Sequence, residues 1–204
     1  MTPDSVDPYT DTDPDAAPPP PRRRRRPLPG DLSRQRMLER MIRVDHAGEY
    51  GAKRIYEGQI AVLGDGPKGD ILRHMADQEL AHLAEFDRLI VERGVRPSLM
   101  HPVWHVAGFA LGAGTALLGE RAAMACTVAV EEVIDRHYTE QSDHLEDDAE
   151  EAELRATIER FREEELEHRD IGLEHEAELA PAYRLLSAAI KAGSRAAIWV
   201  AERV

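Results

Sequence analysis

The sequence predicts an all-α fold, a four-helix bundle with extra apolar helical segments, and three observations predict it. From residue 31 onward proline becomes sparse and apolar residues recur at three- and four-residue intervals. No stretch shows sustained two-residue alternation rich in Val, Ile and Thr, so no strand is expected. Four of the helical stretches carry Glu or His on their own apolar phase. Buried carboxylates are costly unless paired or metal-bound. Four helices turning them inward would ruin a bundle core unless a cation sits among them.

The elements follow in order. Residues 1–30 hold nine of the 13 prolines, five Asp and the block Arg22 to Arg26, with almost no large apolar residue. Such a segment buries too little surface to offset its ordering entropy, and a disordered tail is expected. The helical domain is expected over 31–204. Its first helix should start with Asp31 or Ser33 as N-cap and run to about Leu63, with Leu38, Met41, Asp45, Glu49, Ala52, Tyr56 and Leu63 inward. The cluster from Gly64 to Pro67 ends it. A second helix is expected from about Lys68 to Glu92, facing inward with Leu72, Met75, Glu79, His82, Phe86 and Leu89, and closed by Gly94. A third helical region runs from 101 to about Gln141, broken in polarity by Glu120 and Arg121, with Met124, Thr127, Glu131, Ile134 and Tyr138 on one face. The fourth helix is expected from about Glu150 to Leu179, its face Leu154, Ile158, Phe161, Glu165, His168, Gly172, His175 and Leu179. An amphipathic segment with Leu185, Leu186, Ile190, Ile198 and Trp199 follows Pro181.

Composition removes several function classes. The 204 residues suit one domain and little more. The net charge is −13 and aromatics are 5%, which argues against nucleic acid as a partner and suits cations. The lone Cys126 permits neither an intrachain disulfide nor a thiolate zinc site. No apolar run follows Met1, and the acidic first 20 residues are unlike a mitochondrial transit peptide.

Spacing sharpens the cation argument. Glu79-Leu80-Ala81-His82 and Glu165-Leu166-Glu167-His168 are the two E-x-x-H motifs of the chain. Positions i and i+3 of a helix share a face, so each motif aims a carboxylate and an imidazole at one point. An inward Glu precedes each motif, Glu49 by 30 residues and Glu131 by 34. Glu followed by Glu-x-x-His, repeated in two helical hairpins, is the ligand set of the ferritin-like di-iron carboxylate bundle. Carboxylate and imidazole ligands without thiolate suit iron or manganese. Glu49, Glu79, His82, Glu131, Glu165 and His168 are therefore the expected metal ligands and catalytic centre. Glu79 and Glu165 are expected to bridge, the two histidines to sit on different ions, and Glu49 and Glu131 to be terminal.

Nearby residues leave alternatives open. His137 either orients a ligand or carries a proton, or is simply a hydrogen-bonded structural histidine. Asp45 and Asp135 each stand one turn from an inward Glu, placed either to hold a ligating imidazole or to face solvent. His46 is open in the same way, and His175 reads as structural or exposed. Residues 101–119 carry no Asp, Glu, Lys or Arg, but Pro102, two His and four Gly dilute them. An interfacial or re-entrant apolar surface suits this stretch better than a span. A buried connection or an oligomer interface is its alternative.

The blocks around these residues resemble one family. Arg43-Val44-Asp45-His46-Ala47-Gly48-Glu49-Tyr50-Gly51-Ala52 is similar to the first-helix signature of the demethoxyubiquinone hydroxylases of ubiquinone biosynthesis. Thr127 to Glu132 with His137-Tyr138 resembles their third-helix signature. Glu163 to His168, Asp170 to Leu173 and Ala177 to Pro181 resemble the fourth. The resemblance covers roughly residues 35–204 and implies the same six ligands. It implies a di-iron, O2-dependent monooxygenase, with two iron ions per chain and NADH or another donor as reductant. The implied substrate is a polyprenyl methoxy-methyl-benzoquinol, hydroxylated on its ring in the penultimate step to ubiquinone. Peripheral contact with membrane lipid is implied too. Read with the acidic start, this gives the cytoplasmic face of a bacterial cell membrane as the expected location. A homo-oligomer or a ubiquinone-biosynthesis complex is compatible with all of this. Iron storage or peroxide reduction on the same bundle is the alternative, though one Cys cannot build the thiolate iron module of the peroxide-reducing class.

Overall fold

A computed structural model describes residues 30–204; the expected 1–29 part of the tail, with Arg22 to Arg26, lies outside the described residues. Residues 33–204 form one unit of six helices, and no strand occurs among the described residues. The helices are α1 (Arg34–Leu63), α2 (Gly69–Arg93), α3 (His101–Leu117), α4 (Glu120–Leu145), α5 (Ala152–Glu174) and α6 (Tyr183–Ala201). Ser33 caps α1, its hydroxyl accepting from the Arg36 amide. Gly94 closes α2 in the left-handed conformation.

α1 with α2, and α4 with α5, form two hairpins whose inner faces meet. α3 lies along the outside of α1, and α6 along the outside of α4. Two apolar layers make up most of the core, with two smaller clusters under α3 and α6. Ile42, Phe86, Tyr138, Leu154, Ile158 and Phe161 belong to one layer. Tyr56, Leu72, Met75, Met124 and Val128 belong to the other. Along the four bundle helices Glu49, Glu79, His82, Glu131, Glu165 and His168 fall in sequence between residues of these two layers.

Three boundaries differ from expectation. The third helical region is two helices, because Leu118 and Gly119 break it: Gly119 has φ +110°, which turns the chain between α3 and α4. The fourth helix begins at Ala152 after a 3₁₀ turn at Ala149–Glu151. It ends at Glu174, because Glu176 adopts a left-handed φ of +61° and a second 3₁₀ turn follows at Ala177–Leu179. Leu179 is consequently exposed rather than inward. On α6, Ile190 is buried, but Leu185 and Trp199 face outward. No described helix is long and apolar enough to cross a membrane.

Candidate metal centre

Helical phase puts the six expected residues in one place. Glu49 lies two turns before Tyr56 on α1, and Glu79 and His82 lie between Met75 and Phe86 on α2. Glu131 follows Val128 on α4, and Glu165 and His168 follow Phe161 on α5. All six are buried. They fall into two sets, Glu49, Glu79, His82 and Glu165, and Glu79, Glu131, Glu165 and His168. Within each set the candidate ligand atoms lie within 4.8 Å of one another. Glu79 and Glu165 belong to both sets.

Six of the atoms in this cluster have no hydrogen-bond partner among the described residues. Glu49 Oε2, both Glu79 oxygens, Glu131 Oε2, Glu165 Oε1 and His82 Nδ1 are buried without a hydrogen bond among the described residues. His82 Nδ1 stands 3.2 Å from Glu165 Oε1 and 3.4 Å from Glu49 Oε2. His168 Nδ1 stands 3.1 Å from Glu165 Oε2 and 3.3 Å from Glu79 Oε1. Each orphaned buried atom costs about 1–3 kcal/mol or more when charged. Four carboxylates and two imidazoles so placed fit a pair of divalent cations, whose charge four carboxylates balance.

Electrostatics agree with that fit. Burial, then the Glu165 and Glu49 charges, push Glu79 well above the usual carboxylate range. Burial, then Glu165 and Glu79, do the same to Glu131. Burial also pushes Glu165 upward, but contacts with His168 and His82 hold it down at about 2. Burial works against charge on His82, yet the Glu165 and Glu49 carboxylates raise it to about 12. His168 is raised against burial by Glu165 and Glu131. By itself the layer collects protons as counter-charge; divalent cations would supply the same charge.

A second ring of residues holds the six in place, and the two hairpins build it alike. Tyr138 of α4 donates to Glu49 Oε1 of α1. Tyr56 of α1 donates to Glu131 Oε1 of α4 at 3.1 Å. On the histidines, His82 Nε2 donates to Glu164 Oε2 at 2.7 Å and His168 Nε2 to Gln78 Oε1 at 3.0 Å. The sequence placed the tyrosines in the core without a polar role and passed over Gln78 and Glu164. The detectable signal was position: Gln78 immediately precedes Glu79, and Glu164 immediately precedes Glu165.

Other candidates go elsewhere. Asp45 is buried but holds no ligating imidazole: its Oδ1 accepts from Gln141 Nε2 at 2.7 Å and His137 Nε2 at 3.1 Å. His137 thus meets Asp45 rather than one of the six. Asp135 pairs with Arg162, His46 with Asp87, and His175 with Lys68. Cys126 is buried among aliphatic residues, and burial pushes its thiol up to about 12.

An apolar groove of about 370 Å³ runs beside the layer. Gly48 and Ala52, flanking Glu49, and Val130 and Ile134, flanking Glu131, line its inner side. Trp104 and Leu111 of α3 and Ala197 and Ile198 of α6 line its outer side. The volume lies in the range of small-molecule sites.

The family described as "Ubiquinone biosynthesis protein COQ7" matches residues 36–201. A protein of Rhodospirillum rubrum named 3-demethoxyubiquinol 3-hydroxylase is 61% identical over 178 residues, covering 87% of this chain and 83% of its own. The human protein named NADPH-dependent 3-demethoxyubiquinone 3-hydroxylase, mitochondrial, is 57% identical over 82% of this chain and 78% of its own. A Saccharomyces cerevisiae protein named 5-demethoxyubiquinone hydroxylase, mitochondrial, is 44% identical over 82% of this chain and 78% of its own.

Proposed function

The chain belongs to the COQ7 family of ubiquinone-biosynthesis proteins, and on that premise we propose that it is a 3-demethoxyubiquinol 3-hydroxylase, an enzyme that hydroxylates the ring of a polyprenyl methoxy-methyl-benzoquinol. The observation that carries this reading is a buried layer of four Glu and two His, with an apolar groove lined by Gly48 and Val130, the chain neighbours of Glu49 and Glu131.

In this reading Glu49, Glu79, His82, Glu131, Glu165 and His168 would hold two iron ions, Glu79 and Glu165 being members of both candidate sets. When bound, the irons supply the O2 chemistry that puts one oxygen atom on the ring and releases the other as water. The balance takes two electrons and two protons from a reductant, and the names of several relatives point to a nicotinamide nucleotide. The chain's own residues do the rest. Tyr138 and Tyr56 fix the rotamers of Glu49 and Glu131. The apolar layers on either side keep bulk water away. The groove holds the quinol ring between α1 and α4 and lets an apolar tail leave between α3 and α6. Iron storage has no use for such a groove.

The same groove suits a lipid surface. α3 carries no charged residue, and Val103, Val106, Leu117 and Leu118 are exposed beside it or on it. Leu185 and Trp199 are exposed on α6, where Arg184 and Arg195 supply positive charge, while Lys191 is paired with Glu132. We place this face on the cytoplasmic side of a bacterial membrane as a peripheral contact.

Deleting the protein in its host and identifying the quinone that builds up tests substrate and step together. The demethoxy precursor is expected to accumulate. Normal ubiquinone with no precursor would overturn the assignment.

A further inference from the structure

The candidate metal layer is built twice from one pattern. In the first half, Glu49 and Tyr56 stand seven residues apart, and Gln78-Glu79-x-x-His82 follows. In the second half, Glu131 and Tyr138 stand seven residues apart, and Glu164-Glu165-x-x-His168 follows. Each half reaches across to the other. Tyr56 bonds Glu131 and Tyr138 bonds Glu49. Gln78 bonds His168, and Glu164 bonds His82. The six expected ligands and both tyrosines obey this two-fold pattern. The residue behind each histidine does not, being a neutral amide behind one and a carboxylate behind the other.

The chemistry of that difference is direct. Both histidines turn Nδ1 toward the glutamates and Nε2–H outward. An imidazole whose outer N–H donates to a carboxylate is a more electron-rich ligand than one donating to an amide. Glu164 is half-buried, so its charge is only partly screened from the ring it accepts from. Gln78 is half-buried in the matching position and adds no charge.

From this broken symmetry we infer that the two metal positions are unequal: Glu164 makes the His82 position the tighter one, filled first, and Gln78 leaves the His168 position weaker. Glu164 is a positioning and tuning residue that acts through His82. The inference rests on the proposed metal reading above.

Anaerobic titration of the metal-free full chain with Mn(II), counted by loss of the free-ion EPR signal, tests it. The native chain is expected to take up two ions in two separate steps. Glu164→Gln weakens the first step by roughly 10- to 100-fold, so the two steps merge. The double variant Gln78→Glu with Glu164→Gln restores two steps, because the carboxylate now stands behind the other histidine. A side chain needed only for folding would not be rescued in this way, and circular dichroism checks that each variant is helical. Two ions bound by Glu164→Gln with native steps, or a double variant whose steps stay merged, overturns the inference and leaves the metal reading intact. A native chain that binds no ion overturns both.

Discussion

Four buried glutamates and two buried histidines stand together in this bundle, several of their polar atoms without a hydrogen bond among the described residues. Burial and mutual repulsion raise Glu79 and Glu131, and the surrounding carboxylates raise His82 and His168. A group whose folded value lies above its unfolded value binds more protons folded than unfolded. Its contribution is complete below the unfolded value and is lost as pH rises through the folded one. Glu165, held at about 2, has the opposite sign, but its change falls below the ordinary carboxylate range. The metal-free chain should therefore lose thermal stability as pH rises from about 5 towards about 12, the value to which His82 is raised, while the loaded chain loses much less, because the ions replace those protons. Melting both forms across this range checks it, and equal slopes for the two forms would contradict it. Loading at neutral pH should also release protons, which an indicator dye reads. The six residues were legible because each interrupts an apolar stripe at that stripe's own phase. Gln78 and Glu164 were not, because they stand one residue off the stripe and act on the opposite hairpin, a relation that spacing within one helix does not carry. Asp45 was legible as inward, but its partners His137 and Gln141 arise from the packing of α1 against α4.

Among the helices, α3 depends most on small residues. A Cβ at Gly112 would stand 1.9 Å from the Ile55 carbonyl oxygen of α1, and one at Gly58 would stand 2.3 Å from that of Phe109. The two backbones touch where side chains would hold them apart, and that contact fixes the outer wall of the groove. Gly112→Ala should destabilise by about 1–3 kcal/mol through overpacking. Gly114→Ala, on the same helix with open space around it, should be neutral or stabilise by up to about 1 kcal/mol through helix propensity. Thermal melts of the pair check this, and equal effects would contradict the close-packing account. The glycines were visible in the sequence; which of them met α1 was not, since that depends on the turn at Gly119. The same turn explains why the one expected helical region from 101 to about Gln141 became two helices. Similarly, the apolar phase of α5 continues past Glu174, but Glu176 takes a left-handed backbone and Leu179 swings into solvent.

At the scale of the whole molecule, charge and apolar surface are segregated. Residues 131–180 hold 20 acidic and five basic residues, while the 19 residues from 101 to 119 hold none of either sign. Four of the exposed large apolar residues stand on α3 and α6, the helices of the groove's outer side: Val103, Val106, Leu185 and Trp199. If this face meets lipid, replacing exposed Val106 and Leu185 together with Glu should cut binding to anionic vesicles at least tenfold in a sedimentation assay. It should leave the melting temperature within a few degrees, since exposed substitutions away from special features change stability by only about 0.5 kcal/mol each. Unchanged vesicle binding would remove the lipid face from the account. The central claim concerns the layer between the two apolar cores, and the most direct measurement is the number of ferrous ions retained per chain after anaerobic reconstitution. The account predicts two for the native chain and fewer than one for Glu165→Ala, which removes a ligand both sets share. A native chain that retains none, or a Glu165→Ala chain that still retains two, would contradict it.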